Sequence, residues 1–135
     1  MNNTIARLRD AMNAHDVEGL VALFAPDYHS EQPLHPQRGF GGRDQVATNW
    51  GRMFDGVPDL EVGVVKESTD GSTSWSEWVW RGAHRDGAPF LMKGMIVMGL
   101  EDDGLIAWAR LYMEPVEQGG AAIDESVLHL SGTER

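Results

Sequence analysis

Beyond residue 60 the chain is organised by three Asp-Gly dipeptides, Asp70-Gly71, Asp86-Gly87 and Asp103-Gly104. Asp-Gly favours tight hairpin turns, because it tolerates the left-handed backbone that such turns require. These dipeptides separate four apolar or alternating runs: Leu60 to Glu67, Ser74 to His84, Phe90 to Leu100 and Ile106 to Glu114. Pro115 stops the last one. Strands joined by short turns pair antiparallel. The C-terminal half therefore predicts a four-stranded meander.

The first sixty residues have a different period. Asn3 or Thr4 can cap a first helix that runs to about His15, with Ile5, Leu8 and Met12 on one face. Asp16 can cap a second helix. Its stripe is Val17, Leu20, Val21 and Phe24, and Pro26 ends it. Tyr28 to Gln32 is short and extended, with His29 and Glu31 on one face and Tyr28, Ser30 and Gln32 on the other. Residues 34–42, rich in Pro and Gly, form a loop. Asp44 can cap a third helix with Val46, Trp50, Met53 and Phe54 on its apolar face. The order is α-α-β-α-β-β-β-β.

A curved antiparallel sheet cannot bury its concave face alone, and three amphipathic helices are at hand to cover it. The expected fold is α+β: a curved antiparallel sheet wrapped around the N-terminal helices, a cone-shaped barrel with an apolar pocket at its open end. With no repeat and no linker, residues 1–117 read as one domain. Residues 118–135 turn small and polar. Ile123, Val127 and Leu130 stand there at helical spacing, and a short helix and a frayed end both fit.

Composition narrows the partners. The 135 residues suit one domain with a real core. Net charge is −10, from 11 Lys and Arg against 21 Asp and Glu. That argues against nucleic acid or an anionic membrane as partner, since both need basic patches. The absence of Cys excludes disulfides, thiolate nucleophiles and Cys-ligated metals. No run reaches the roughly 18 apolar residues of a membrane span. Met1-Asn2-Asn3-Thr4 leads straight into a polar amphipathic segment, without an apolar signal core, and a cytoplasmic protein is expected.

The order of elements, with Phe24-Ala25-Pro26-Asp27-Tyr28, Gly41-Gly42-Arg43-Asp44-Gln45-Val46 and the closing Gly104-Leu105-Ile106 through Arg110-Leu111-Tyr112, resembles the nuclear transport factor 2-like superfamily, in its SnoaL-like branch. The resemblance spans about residues 4 to 117. It implies the cone fold and homodimerisation. It leaves chemistry open, because that superfamily holds polyketide cyclases, ketosteroid isomerase, epoxide hydrolases and non-catalytic binding domains. The limonene epoxide hydrolase triad is absent. The positions that match it carry His29, Glu31, Trp78, Trp80 and Leu111.

On this alignment the pocket face of the middle strand shows Trp78, Trp80 and His84, and the last strand shows Leu111 and Met113. Phe24 and Trp50 add aromatic wall, and His35 stands in a loop from which it can reach over the mouth or simply sit on the surface. These are the expected substrate-binding residues, suited to a flat or greasy molecule. The bland reading of each Trp or Met is core. Arg38, in the same loop as His35, can anchor a substrate carboxylate or enolate, or simply be solvated. His29 and Glu31 are the expected catalytic pair. A carboxylate in an apolar pocket has its charged form disfavoured, which suits a general acid or base, and an imidazole can partner it. The alternative for both is a polar strand end facing solvent or a second subunit.

Glu77, Arg110, Tyr112 and Glu114 fall on the opposite face, where members of the superfamily often meet a second subunit. A one-residue change of register would exchange the two faces. No metal is expected: His29, Glu31, His35 and His84 could supply ligands, but their spacing matches no metal motif. Gly39-Phe40-Gly41-Gly42 lacks the Lys-Ser/Thr of a phosphate loop, and no cofactor is expected. Two functions remain. One is a cofactor-independent isomerase, cyclase or hydratase/hydrolase acting on a small hydrophobic or aromatic molecule by general acid/base chemistry. The other is a non-catalytic small-molecule-binding or dimerisation domain.

Overall fold

Residues 3–133 are described in a computed structural model. In chain order the elements are α1 (Thr4–Asn13), α2 (Val17–Val21), β1 (Phe24–Glu31), a 3-10 turn (Pro36–Arg38), β2 (Phe40–Gly41), α3 (Arg43–Gly56), β3 (Glu61–Asp70), β4 (Thr73–Ala83), β5 (Pro89–Leu100), β6 (Ile106–Pro115) and α4 (Ile123–Ser131). The meander forms as its turn residues dictate. Gly71, Gly87 and Gly104 all take positive φ, at 60°, 89° and 88°, backbone that glycine adopts at no steric cost.

The strands form one curved, unclosed sheet in the order β2-β1-β6-β5-β4-β3. Its pairs are antiparallel except β1 with β6, which run parallel. That pair departs from a purely antiparallel sheet. β1 reaches β6 only after the chain has passed through α3 and the whole meander, so no hairpin dictates its direction. Curvature needs close backbone approach at one point. A Cβ on Gly94 would lie 2.0 Å from the Tyr112 carbonyl oxygen and 2.9 Å from the Met113 Cα, so only glycine lets β5 bend so tightly against β6.

The helices cover the concave face. Ile5, Leu8 and Met12 of α1, Leu20 of α2, and Val46 and Phe54 of α3 share one core with Val62, Trp78, Ile96 and Ile106 of the sheet. The end of α1 is stitched to edge strand β3. The Asn13 amide donates to the Val62 carbonyl at 3.0 Å and accepts from its N–H at 2.7 Å. The His15 ring stacks on Phe54 at 4.5 Å and bonds the Leu60 carbonyl at 2.9 Å.

Two local expectations change. α2 is one short stretch, capped as expected by Asp16, which accepts from the Gly19 N–H at 3.0 Å. Phe24 does not end this helix; it begins β1. Pro26 is accommodated because the β1–β6 register shifts between Phe24 and His29, leaving an irregularity that asks nothing of a missing N–H. Gly42, with φ 91°, takes the cap position of α3 in place of Asp44, which sits in the first turn and favours the helix through its dipole. The tail does form a helix, α4, whose Ile123 and Leu130 are 74% and 83% exposed.

Candidate functional site

Alternation on β1 decides what faces the interior. Ser30 pairs with Ala109 of β6, and both are buried. Tyr28, two residues back, is also buried; it packs edge-to-face on Phe24 at 4.7 Å and on Phe40 at 6.1 Å. His29 and Glu31 therefore project from the other side, with side chains 58% and 49% exposed. They do not enter the interior as expected. They join an outer-face cluster in which Glu31 lies 3.5 Å from Arg110 and 3.8 Å from His29. The Arg110 guanidinium in turn sits 5.2 Å from the Trp108 ring centre. The physical reason for the correction is desolvation: Tyr28 and Ser30 can be buried at small cost, whereas an ionisable His-Glu pair keeps water and Arg110 outside.

The interior face encloses a cavity of about 200 Å³ between the sheet and helices α1 and α3. Its deep wall is built by Leu8, Met12, Phe24, Val46, Ile96, Met98 and Ala109, all buried. Its half-buried mouth is framed by Gln32, Phe40, Asn49, Trp50, Met53 and Leu111. Tyr28, Ser30 and Trp80 complete the lining. Trp50 and Trp80 meet edge-to-face at 5.3 Å. At the mouth, Gln32 accepts a bond from Arg38 at 3.1 Å, and Asn49 accepts one from Gln45 at 2.8 Å. Arg38 itself stays exposed.

Of the expected residues, Phe24, Trp50, Trp80 and Leu111 are thus brought together around the cavity. The others lie elsewhere. Trp78 is fully buried in the core, its indole donating to Ser76 Oγ at 2.8 Å, and Met113 is core as well. Both point inward, but the cavity does not extend to them. His35 sits partly buried outside the cavity, its Nε2 bonded to a Glu114 carboxylate oxygen. His84 is exposed on the far side of the β4–β5 turn and packs edge-to-face on Phe90 at 5.5 Å.

Tyr28, Ser30, Gln32 and Asn49 were not among the expected residues. The signal that finds them is Tyr28: a large ring flanked by charged or titratable neighbours fixes the buried parity of its strand. No Asp, Glu, Lys, Arg or His lines the cavity among the described residues. The one titratable group is the Tyr28 hydroxyl. Burial pushes its pKa from 10.0 up to about 12, and a hydrogen bond from the Ser30 side chain offsets part of that rise. At neutral pH Tyr28 is therefore a protonated hydrogen-bond donor and not a base. Among the described residues no group of three or more His, Cys, Asp or Glu is placed to hold a metal. No described helix is long and apolar enough to cross a membrane.

The SnoaL-like domain family matches residues 5–109, well over half of the chain, and the chain belongs to that family. Solved structures share the fold. IdmH of Streptomyces antibioticus, provisionally assigned as a polyketide cyclase, is 25% identical with a TM-score of 0.70, over 83% of this chain and 90% of its own. A SnoaL-like protein of Jannaschia sp. CCS1, also provisionally assigned as a polyketide cyclase, is 20% identical with a TM-score of 0.71, over 83% of each chain. A Mycobacterium tuberculosis protein in complex with estradiol-17β-hemisuccinate is 21% identical with a TM-score of 0.70, over 81% of this chain and 89% of its own. No curated protein matches this sequence significantly.

Proposed function

We propose that this member of the SnoaL-like family binds a small hydrophobic carbonyl compound in the cavity behind Tyr28 and acts on it as a cofactor-independent cyclase or isomerase. The observation that carries the reading is a largely apolar, aromatic-walled cavity with a Tyr28–Ser30 hydroxyl pair on its wall. The walls hold a flexible substrate in one folded shape, which lowers the entropic barrier to ring closure or bond migration. A Tyr28 O–H that stays protonated can donate to the substrate's carbonyl oxygen and stabilise the enol or enolate that develops there. Such hydrogen bonds are stronger in a site that excludes water. The likeness to a provisionally assigned polyketide cyclase at 25% identity supports the same reaction class. Hydrolysis fits less well, because none of the cavity's side chains is a carboxylate or imidazole that could activate a water.

The same lack of an acid/base side chain favours a second reading, a binding domain that holds its ligand unchanged. The two separate in one experiment. Trp50 and Trp80 line the cavity, so tryptophan fluorescence should report saturable binding of small aromatic β-diketones, and NMR spectra of the same mixtures report conversion, including conversion to a product of the same mass. Conversion that is lost in Tyr28→Phe while binding persists supports the enzyme. Saturable binding without product supports the binding domain. No saturable binding by the folded protein would sink both.

Assembly belongs to the same proposal. Trp75, Met95 and Tyr112 are exposed on the outer face of β4, β5 and β6, with Glu77 and Tyr112 flanking Met95 in register. An apolar patch rimmed by charge suits a partner surface. Two copies meeting across this face would form a homodimer and leave each cavity mouth free.

A further inference from the structure

Trp80 is 5% exposed, and its indole nitrogen is buried without a hydrogen-bond partner among the described residues. Its neighbour two residues earlier behaves differently: the Trp78 indole N–H donates to Ser76 Oγ at 2.8 Å. The same fold thus satisfies one inward indole and leaves the other unsatisfied; the unsatisfied indole belongs to a residue that contributes to the cavity wall, with the nitrogen itself buried behind that surface. Buried donors in native proteins are nearly always paired, so an exception asks for an explanation, and an acceptor brought by a bound molecule is one that a neighbouring cavity offers. Among the described residues the one ring packed on it, Trp50, meets it edge-to-face, and a ring face is at most a weak acceptor that an oxygen outcompetes.

Two further observations bound the acceptor's owner. The lining carries no formal charge, so an ionic ligand would lose its hydration for nothing in return. The volume, about 200 Å³, is little above the roughly 150 Å³ that accommodates benzene in an apolar protein cavity. That is room for one ring and a short substituent.

Building on the small-molecule reading above, we propose that the Trp80 indole N–H is the cavity's specificity element, and that the ligand portion it selects is uncharged, of single-ring size, and carries a carbonyl-type oxygen as acceptor. Trp80 sets what is recognised; it is not assigned a proton transfer. A molecule of the right shape without the oxygen leaves the donor unpaired and is disfavoured for that reason, since a missing partner costs more than the mean worth of the bond.

The test uses two probes of nearly the same shape, acetophenone and α-methylstyrene, in which C=O is exchanged for C=CH2. Binding to the intact protein is followed by the indole N–H resonances of 15N-labelled protein, with the Trp80 signal identified by its absence in Trp80→Phe. Acetophenone should bind about tenfold more tightly than α-methylstyrene, the ratio expected for one satisfied buried donor, and it alone should shift the Trp80 N–H strongly downfield. In Trp80→Phe the preference should fall severalfold, to what the Tyr28 hydroxyl alone supplies, while α-methylstyrene binding is retained. Benzoate should not compete. If both probes bind the wild type equally, or the preference survives undiminished in Trp80→Phe, the assignment to Trp80 is overturned and the small-molecule cavity stands. Competition by benzoate overturns the claim that the ligand is uncharged. If neither probe binds the folded protein, the cavity reading falls with it. Should Trp80→Phe not fold, the wild-type indole signals taken together decide: if none of them moves downfield at saturating acetophenone, the proposal is overturned.

Discussion

Raising the pH should destabilise the protein through Tyr28 in a way that Tyr28→Phe removes. The hydroxyl titrates at about 12 in the fold against 10.0 for an ordinary tyrosine. The folded state therefore holds this proton more tightly than the unfolded chain does. The stabilisation is complete below pH 10 and is lost as pH rises through 12. A difference of about two pK units corresponds to a maximum of about 2.7 kcal/mol, at 1.36 kcal/mol per unit. Half of that, about 1.4 kcal/mol, is gone at pH 11. Urea unfolding at pH 8, 9, 10 and 11 measures it. Other groups titrate over the same range, so the informative quantity is the difference between wild type and Tyr28→Phe at each pH.

At pH 8 the variant should be less stable by about 1 kcal/mol, the usual worth of the hydrogen bond it loses. By pH 11 the gap should have closed or reversed. Parallel stability curves from pH 8 to 11 would refute the claim that Tyr28 is buried and protonated, and with it the donor role assigned to this residue.

Other substitutions test the frame. Gly94→Ala sets a Cβ 2.0 Å from the Tyr112 carbonyl oxygen and should cost about 3 kcal/mol, roughly 10 °C in Tm by thermal unfolding; a variant as stable as wild type would mean that β5 and β6 do not approach so closely. Ending the chain after Glu117 removes α4, whose large apolar residues Ile123, Val127 and Leu130 are all exposed. Its Tm should move by less than ~2 °C; a larger loss would show that the helix packs on the body. Met95→Glu places a carboxylate in the middle of the exposed patch with Trp75 and Tyr112 and should turn a dimer into a monomer by sedimentation, with the fold kept. A wild type that is monomeric at every concentration would remove the assembly proposal.

Much of the fold is legible in the sequence because its signals are local. Each Asp-Gly turn needs only its own backbone geometry, and each strand of the meander inherits its direction from the turn before it. The inward faces of β4 and β6 follow from the same alternation, which is why Trp80 and Leu111 reach the cavity. Depth within the curve of the sheet is a different matter. Trp78 and Trp80 share a face, yet only Trp80 borders the cavity, because where a hollow begins depends on how α1 and α3 pack across the sheet. The His35–Glu114 contact joins residues 79 positions apart, and no period in the sequence encodes it.

The parity of β1 is the point at which a local signal was available and points away from the position-by-position transfer. Pro26 lies inside the strand at a register shift, so counting from the end of a helix loses the phase. Energetics restores it. Turning His29 and Glu31 inward would bring an ionisable pair against Phe24 and Trp50 and expel Tyr28, which packs on two aromatic rings, into water. Outward, the pair keeps solvent and gains Arg110. One residue of phase thus exchanges an imidazole–carboxylate site for a hydroxyl–indole site, and with it the chemistry. A cavity furnished with Tyr28, Ser30 and Trp80 has donors whose charge does not change near neutrality. It can select, fold and polarise a substrate, but any proton that must leave carbon has to go to the substrate itself or to a water at the mouth. A rate set by the substrate's own acidity, rising with pH without the shoulder of an imidazole or carboxylate, is the kinetic signature that this arrangement requires.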